Sequence, residues 1–306
     1  MKLSKLSLIF SVALLLMVAI NGAISLVVLG AFDRAQAVQD ERVEALRLVG
    51  ELRHEMDILA RLVRSYVVTR ETRYLTYYYA ILAIREGEKP AIANGSAVRY
   101  WDRVIAGETE FEPPLEGARV SMRSRMVRLG FQGAELAALE EVLAEADALK
   151  QIEQVAFAAT QGLYDPLTRT FVSDGQPHPQ LAVSLVHGLD YDRQHARVAV
   201  AVARLLEQVD LRTGRQVDEA RRHLRNWIIA VISGMAGGAL LVLFGLRTTR
   251  SQVLIPLESM SSATGRLARG QYDVRLAGNG GVEEVRVLRD AFNSMATAIE
   301  HDIQER

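Results

Sequence analysis

Residues 226–246 read NWIIAVISGMAGGALLVLFGL, and residues 6–32 read LSLIFSVALLLMVAINGAISLVVLGAF. Neither run contains a Lys, Arg, Asp or Glu residue. About 20 consecutive apolar residues are enough to cross a bilayer as an α-helix, and both runs reach that length. They therefore predict two transmembrane helices. The polar stretch between them, residues 33–225, is expected to fold in water on one side of the membrane.

The first run also has two features of a cleaved signal peptide. Lys2 and Lys5 form a positively charged start, and residues 35–37 read Ala-Gln-Ala, which fits an A-x-A cleavage site. The apolar part of a secretory signal is usually about 7 to 15 residues long, and this run is longer, so we interpret it as a retained signal anchor. The two lysines favour residues 1–5 as a cytoplasmic tail. Two crossings then return the C-terminus to the cytoplasm.

The composition limits the fold and the kinds of site. The chain has 306 residues, a formal net charge of -1 and no cysteine, which excludes disulfides, thiol nucleophiles and cysteine-ligated zinc. A near-neutral charge gives no reason to expect nucleic acid as a partner. Proline is scarce, whereas Ala, Leu, Glu and Arg, which favour helices, are abundant. The predicted fold class is therefore all-α, with a bundle in the polar stretch.

Apolar residues recur at spacings of three and four near both ends of the polar stretch. These series are Val49, Leu52, Met56, Leu59 and Val63, then Val198, Val202, Leu205 and Val209, then Val217, Ala220 and Leu224. A third long helix is expected from about residue 133 to residue 161. Because no helix breaker separates the outer series from the membrane runs, each long helix is expected to continue into its transmembrane segment. Residues 87–117 and 165–180 are predicted to be irregular.

Residues 247–303 form two amphipathic segments with a short connector between them. Pro256-Leu257 opens the first, Gly270 ends it, and the connector alternates Tyr272, Val274 and Leu276. The first helix carries Leu257, Met260, Thr264 and Leu267 at spacings of three, four and three, and the second carries Val285, Leu288, Phe292, Met295 and Ile299. Each helix has one narrow apolar stripe, so two chains are expected to pair their helices into a parallel four-helix bundle.

This segment resembles the HAMP domain family, and AFNSM at residues 291–295 is similar to the family's AFNxM ending. The resemblance implies a homodimer whose helices relay a signal. The expected core and relay residues are Pro256, Leu257, Met260, Leu267, Gly270, Val274, Glu284, Val285, Leu288, Phe292 and Met295. The family places glycine after an acidic pair and a hydrophobic residue at the start of its second helix, and this chain has Arg286 there.

Residues 64–90, RSYVVTRETRYLTYYYAILAIREGEKP, are similar to helical sensor regions that precede HAMP in bacterial chemoreceptors and hybrid sensor kinases. The resemblance implies an extracytoplasmic sensor in the bacterial inner membrane, with a kinase or chemotaxis output in the cytoplasm.

A cluster of arginines and aromatic residues is the candidate ligand site. It comprises Arg70, Arg73, Tyr74, Tyr77, Tyr78, Trp101 and Arg103. Arginine grips a carboxylate through two parallel hydrogen bonds, so a small organic anion, bound directly or through a periplasmic binding protein, would suit this site. In the alternative reading, the tyrosines fill the edge of a core and the arginines face water.

Other motifs carry weaker predictions. His187, Tyr191 and His195 would share a helix face, but the histidines lie roughly 12 Å apart, too far for one ion, so we expect no metal or cofactor. Gly234 and Gly238 form a GxxxG pair that allows close helix packing in the membrane. No Walker loop, zinc-protease box or Gly-x-Ser-x-Gly elbow occurs, so we expect no catalysis within these residues.

The function predicted from sequence is a dimeric transmembrane signal receptor. Two alternatives remain open. One is an accessory membrane protein without its own output that modulates a partner receptor. The other is an exported binding protein, which would require cleavage of the first run.

Overall fold

The computed structural model describes residues 3–92, 97–114, 116–271, 273–278 and 281–304. Lys2 and Tyr272, on which two of the sequence predictions rest, lie outside the described residues. Within the described residues the chain is mostly helical and has almost no strand, which confirms the predicted all-α fold class.

The helices are α1 (Leu3–Thr69), α2 (Thr72–Glu86), α3 (Ala97–Ile105), α4 (Met122–Arg128), α5 (Ala134–Gln161), α6 (Pro179–His187), α7 (Leu189–Thr249), α8 (Ile255–Ala268) and α9 (Glu283–Gln304). A π-helical segment, Arg250–Leu254, joins α7 to α8. A short antiparallel hairpin pairs β1 (Tyr164–Asp165) with β2 (Thr170–Phe171). The two stretches predicted to be irregular thus contain α3 and part of the hairpin.

Both predicted membrane runs lie in the two longest helices, residues 6–32 in α1 and residues 226–246 in α7. Among the described residues, Ser7–Thr69 and Leu189–Ala268 contain stretches long and apolar enough to cross a membrane. Their most apolar windows have mean hydropathies of 2.6 and 2.3. None of either window is buried. Their apolar side chains are therefore not accounted for by a protein core, as expected of helices that face lipid.

The chain divides into two compact units. The central unit is Ala35–Ala220, and the terminal unit combines Met1–Arg34 with Arg221–Arg306. The core of the central unit contains the predicted apolar series of both long helices. Val49, Leu52, Met56, Leu59 and Val63 of α1 are buried, as are Val198, Val202, Leu205 and Val209 of α7. The periodicity of the sequence thus identified the core-facing stripe of each helix.

Local backbone chemistry explains where α1 and α2 end. The chain leaves α1 through Arg70, which has a positive φ of 61°. α2 ends at Gly87, with φ of 80°, where Glu88 donates its backbone N–H to Ala83 at 2.8 Å. A Cβ atom at Gly87 would lie 2.6 Å from the backbone nitrogen of Ser121. This close approach and the positive φ both require glycine.

In the terminal unit, the predicted GxxxG pair packs against α1 of the same chain. A Cβ atom at Gly234 would collide with the side chain of Asn21, and one at Gly238 would lie 3.3 Å from Met17 Sδ. The two glycines therefore provide the space in which these side chains of α1 lie against α7.

Candidate functional site

The chain after the second membrane run folds into two helices and a connector that share a small core. Its buried residues are Ala263 and Leu267 of α8, Val274 of the connector, and Phe292 and Ala296 of α9. Three partly buried residues pack against them, namely Met260, Leu276 and Ile299. Gly270 follows α8 with φ of 87°, which fits its predicted place at the helix end.

One side chain of α9 fixes the connector. Asn293 Oδ1 accepts a hydrogen bond from the backbone N–H of Leu276 at 2.9 Å, and Asn293 Nδ2 donates to the Leu276 carbonyl at 3.2 Å. Gln252 Oε1 accepts from the backbone N–H of Gly281 at 3.2 Å. In the sequence prediction Asn293 entered only as part of the AFNSM string, and its hydrogen bonds to the connector were not predicted. Its amide, at a fixed place in that string, was the available signal.

The apolar residues of α9 form two rows with different exposure. Val285 and Phe292, seven residues apart, are 7% and 6% exposed. Leu288 and Met295, also seven apart, are 51% and 46% exposed, and Leu257 of α8 is 40% exposed. A heptad row of large apolar side chains is therefore uncovered in the single chain, as in a helix that packs against another chain.

The other predicted residues of this segment lie in the first turns of the helices. Pro256 is in the first turn of α8, and Glu284 is an exposed residue in the first turn of α9. Arg286, at the position where the family has glycine, is also exposed. Its long side chain thus reaches solvent, and the substitution does not place a bulky group in the small core.

A buried carboxylate, Glu153, joins several helices in the core of the central unit. Tyr78 of α2 donates its hydroxyl to one oxygen at 2.6 Å, and Tyr191 of α7 donates to the other at 2.8 Å. Burial raises the pKa of Glu153, although both hydroxyl donors lower it. Arg64 of α1 lies 5.2 Å from the centre of the Tyr191 ring and pairs with Asp192 at 2.9 Å. This network therefore connects α1, α2, α5 and α7.

The structure does not bring the predicted aromatic ligand residues into one open site. Tyr77 and Trp101 pack in an aromatic cluster with Phe111, at ring-centre distances of 6.1 and 5.5 Å from Tyr77. Trp101 is only 3% exposed. The Tyr78 hydroxyl donates a hydrogen bond to Glu153 in the core. These contacts are those of core residues, the alternative considered for them from sequence.

The predicted arginines are exposed and dispersed. Arg73 pairs with Glu71 at 2.6 Å and donates to the Tyr74 hydroxyl at 2.8 Å. Arg103 is at the end of α3, and Arg70 is in the turn between α1 and α2. Their role in binding stays a prediction.

Arg70 does line a groove formed by α1, α6 and the start of α7. The groove consists of two clefts of about 540 and 750 Å³, which share Val68 and His187. Arg61 and Arg64 line the first cleft, and Arg70 lines the second. The groove therefore presents three arginine side chains, and arginines attract anions. Two of them are already paired, Arg61 with Asp102 at 2.6 Å and Arg64 with Asp192 at 2.9 Å.

The predicted histidine face is wrong, because the helix is interrupted. α6 ends at His187, Gly188 is extended (φ −85°, ψ 160°), and α7 begins at Leu189. His187 and His195 nevertheless line the same cleft. In the part of the chain that the structure describes, no group of three or more His, Cys, Asp or Glu side chains is placed to hold a metal ion.

These features define a helical membrane protein whose second membrane helix leads into a two-helix module. Residues 250–301 match the family model described as HAMP domain. This match confirms the resemblance read from the Pro-Leu start, the connector and the AFNSM string. With the two candidate membrane helices, it supports a HAMP-containing transmembrane sensory receptor. Searches of curated proteins and of solved structures found no match.

Proposed function

We propose that this protein is a homodimeric signal receptor of the bacterial inner membrane, with the central unit as its extracytoplasmic sensor. The observation that carries the proposal is the continuity of the two long helices. α1 and α7 each run without interruption between the central unit and a membrane run, and α7 leads through Arg250–Leu254 into the HAMP domain. A change in the packing of the central unit can therefore be transmitted to the HAMP domain along a continuous helical segment.

The uncovered apolar row supports a dimer. Leu257, Leu288 and Met295 would each leave a large apolar side chain in water if the chain acted alone. Fully burying an exposed side chain of this size is worth about 1.5–3 kcal/mol, and these three are already about half-buried, so covering each one contributes roughly half of that. A second HAMP domain therefore stabilises itself and its partner. The covered row, Val285 and Phe292, then belongs to the fold of one chain, and the uncovered row to the dimer.

The relay is a population shift between two packings of the HAMP bundle. A stimulus moves this equilibrium only by as much as it binds one state better than the other. We propose a small organic anion as that stimulus, bound at the groove lined by Arg61, Arg64 and Arg70, either alone or delivered by a periplasmic binding protein. The output is a cytoplasmic kinase or chemotaxis pathway, and residues 1–306 have no catalytic role of their own.

Both termini are cytoplasmic in this proposal. Lys5, with Lys2, places a positive charge before the first run, and such charges favour the cytoplasmic side. The central unit is a long segment between the two crossings, and long segments translocate largely regardless of their charge.

Cysteine cross-linking in native membranes tests the dimer, since the chain has no cysteine of its own. We expect Leu288→Cys and Met295→Cys to form covalent dimers with a short bifunctional maleimide. The matched controls, Arg286→Cys and Asp290→Cys, are exposed positions of the same helix outside the apolar row. Equal cross-linking at all four positions, or none at Leu288 and Met295, would contradict the proposed bundle.

A further inference from the structure

A second cavity in the central unit lies apart from the arginine groove. It has a volume of about 200 Å³ and is lined by residues of α1, α2, α3 and α4 and by Ala91 and Ile92 of the following loop. Its walls combine apolar side chains, among them Ile81, Ile84 and Trp101, with charged groups of both signs. Ligand pockets for drug-sized molecules span roughly 300–1,000 Å³, so this cavity suits a smaller molecule.

One carboxylate in the cavity is poorly satisfied. Glu55 Oε2 is buried, and among the described residues it has no hydrogen-bond partner. Its neighbour Glu51, one turn earlier in α1, is in contrast satisfied on both oxygens, by Arg47 and by Arg125. Buried polar atoms nearly always have a partner, so an unpartnered oxygen in a cavity indicates that a donor from outside the chain completes it.

The cavity also offers a cation with donors to spare. Arg125 of α4 donates from Nη2 to Glu51 at 3.2 Å, and within the described residues its other guanidinium N–H groups make no further hydrogen bond. Arg47, by comparison, donates from each of its three guanidinium nitrogens, to Glu44 and Glu51. The lining therefore presents one available acceptor, Glu55, and one available donor group, Arg125.

We propose that this cavity binds a small zwitterion of the α-amino acid class. Its ammonium group donates to Glu55, its carboxylate accepts from Arg125, and its hydrocarbon part packs on Ile81, Ile84 and Trp101. A ligand with both charges leaves the charge of the lining unchanged, whereas a lone cation or anion adds an unbalanced charge to a buried site.

The charged groups around Glu55 agree with this occupant. Burial raises the pKa of Glu55 to about 7, Arg85 of α2 and Arg125 of α4 lower it, and Glu51 of α1 raises it. An ammonium group beside Glu55 would favour the ionised carboxylate and relieve the cost of burial. The site is independent of the proposed anion groove and of the dimer, because none of its lining residues belongs to either.

Trp101 provides a direct readout of binding. Residues 1–306 contain two tryptophans, so Trp227→Phe leaves Trp101 as the sole tryptophan of this chain, which is studied in detergent. Glycine, L-alanine and L-valine are titrated while tryptophan emission is followed. Propionate and ethylammonium serve as matched probes, since they are L-alanine without its amino group and without its carboxylate.

We expect saturable changes with at least one amino acid, and no saturation with propionate or ethylammonium at the same concentrations. Because each substitution removes the charge from a charge-assisted hydrogen bond, Glu55→Gln and Arg125→Gln should each raise the apparent Kd about tenfold or more. The control Arg123→Gln, on the same helix but paired with Glu140 at the surface, should leave the Kd unchanged. Circular dichroism confirms that each variant is folded.

Three results would overturn the proposal. The first is no saturable response to any of the amino acids by the folded protein. The second is equal binding of propionate or ethylammonium, which would make the site one for a simple anion or cation. The third is amino-acid binding that both glutamine variants retain, which would place the ligand elsewhere. None of these results bears on the cross-linking of the HAMP dimer, so the two proposals fail separately.

Discussion

We expect Glu55 to make the stability of the central unit depend on pH, and a single substitution should remove this contribution. The pKa of this carboxyl is raised from 4.5 to about 7 in the folded chain, mainly by burial. A group with a raised folded-state pKa contributes stability that is fully present below pH 4.5 and is lost as the pH rises through 7. Stability should therefore fall across this window.

The magnitude follows from the two pKa values. Since one pKa unit corresponds to about 1.4 kcal/mol, the loss between pH 4.5 and pH 8 is at most about 3 kcal/mol. It is an upper bound because part of the Glu55 side chain is accessible to solvent. Glu55→Gln keeps the shape and removes the titration. The variant should therefore gain up to about 3 kcal/mol relative to wild type as the pH rises from 4.5 to 8.

Denaturant titrations of the 306-residue chain with Trp227→Phe, followed by Trp101 emission at several pH values and without added amino acid, measure this difference. Glu153 also has a raised pKa, but it is present in both proteins, so the comparison isolates Glu55. If wild type and Glu55→Gln lose stability in parallel between pH 4.5 and 8, the assignment of a raised pKa to Glu55 is refuted.

Two further substitutions test the core and a turn. Tyr191→Phe removes one hydrogen-bond donor from the buried Glu153 and should lower the free energy of unfolding by about 1–3 kcal/mol. The control Tyr79→Phe, at an exposed tyrosine, should change it by less than about 0.5 kcal/mol. Equal effects of the two substitutions would show that the network does not stabilise the core. Gly87→Ala should lower the thermal midpoint, because φ is positive there and a Cβ atom would lie 2.6 Å from a backbone nitrogen. The control Gly50→Ala, in a helix with nothing within 4 Å of the new Cβ, should raise the midpoint. A rise with both substitutions would show that the turn at Gly87 is not tight.

The sequence predicted those parts of the fold that repeat. The series from Val49 to Val63 gave the buried stripe of α1, because an α-helix with one apolar stripe has to bury it. The end of α6 at His187 was not predictable in the same way. It depends on the extended backbone of Gly188. Any residue can adopt this conformation, so a single glycine does not predict it.

The charged groups of the central unit were missed for a different reason. Glu153 follows Leu149 by four residues and Glu55 precedes Leu59 by four, so both lie in or beside the apolar register of their helices. The helical pattern is defined by apolar residues, so a charged residue among them does not contribute to it. A charge in that register is the signal that was available, since it must find a partner once it is buried. The arginines and tyrosines of the predicted ligand site were chosen because they are dense in one stretch of sequence. That density does not show which of their side chains face one another.

The junction between α7 and α8 contains one residue, Pro256, that bears on the proposed relay. Pro256 has no backbone N–H, and its ring crowds the carbonyl one turn earlier, so a regular α-helix cannot pass through it unchanged. The chain adopts a π-helical turn at Arg250–Leu254, in which the backbone N–H of Ile255 reaches the carbonyl of Arg250. In that same segment Gln252 accepts a hydrogen bond from Gly281, at the end of the connector. The turn that Pro256 perturbs is therefore also the turn tied to the start of α9. A rotation or shift of the second membrane helix would reach both HAMP helices of one chain through this single segment, without first passing along α8.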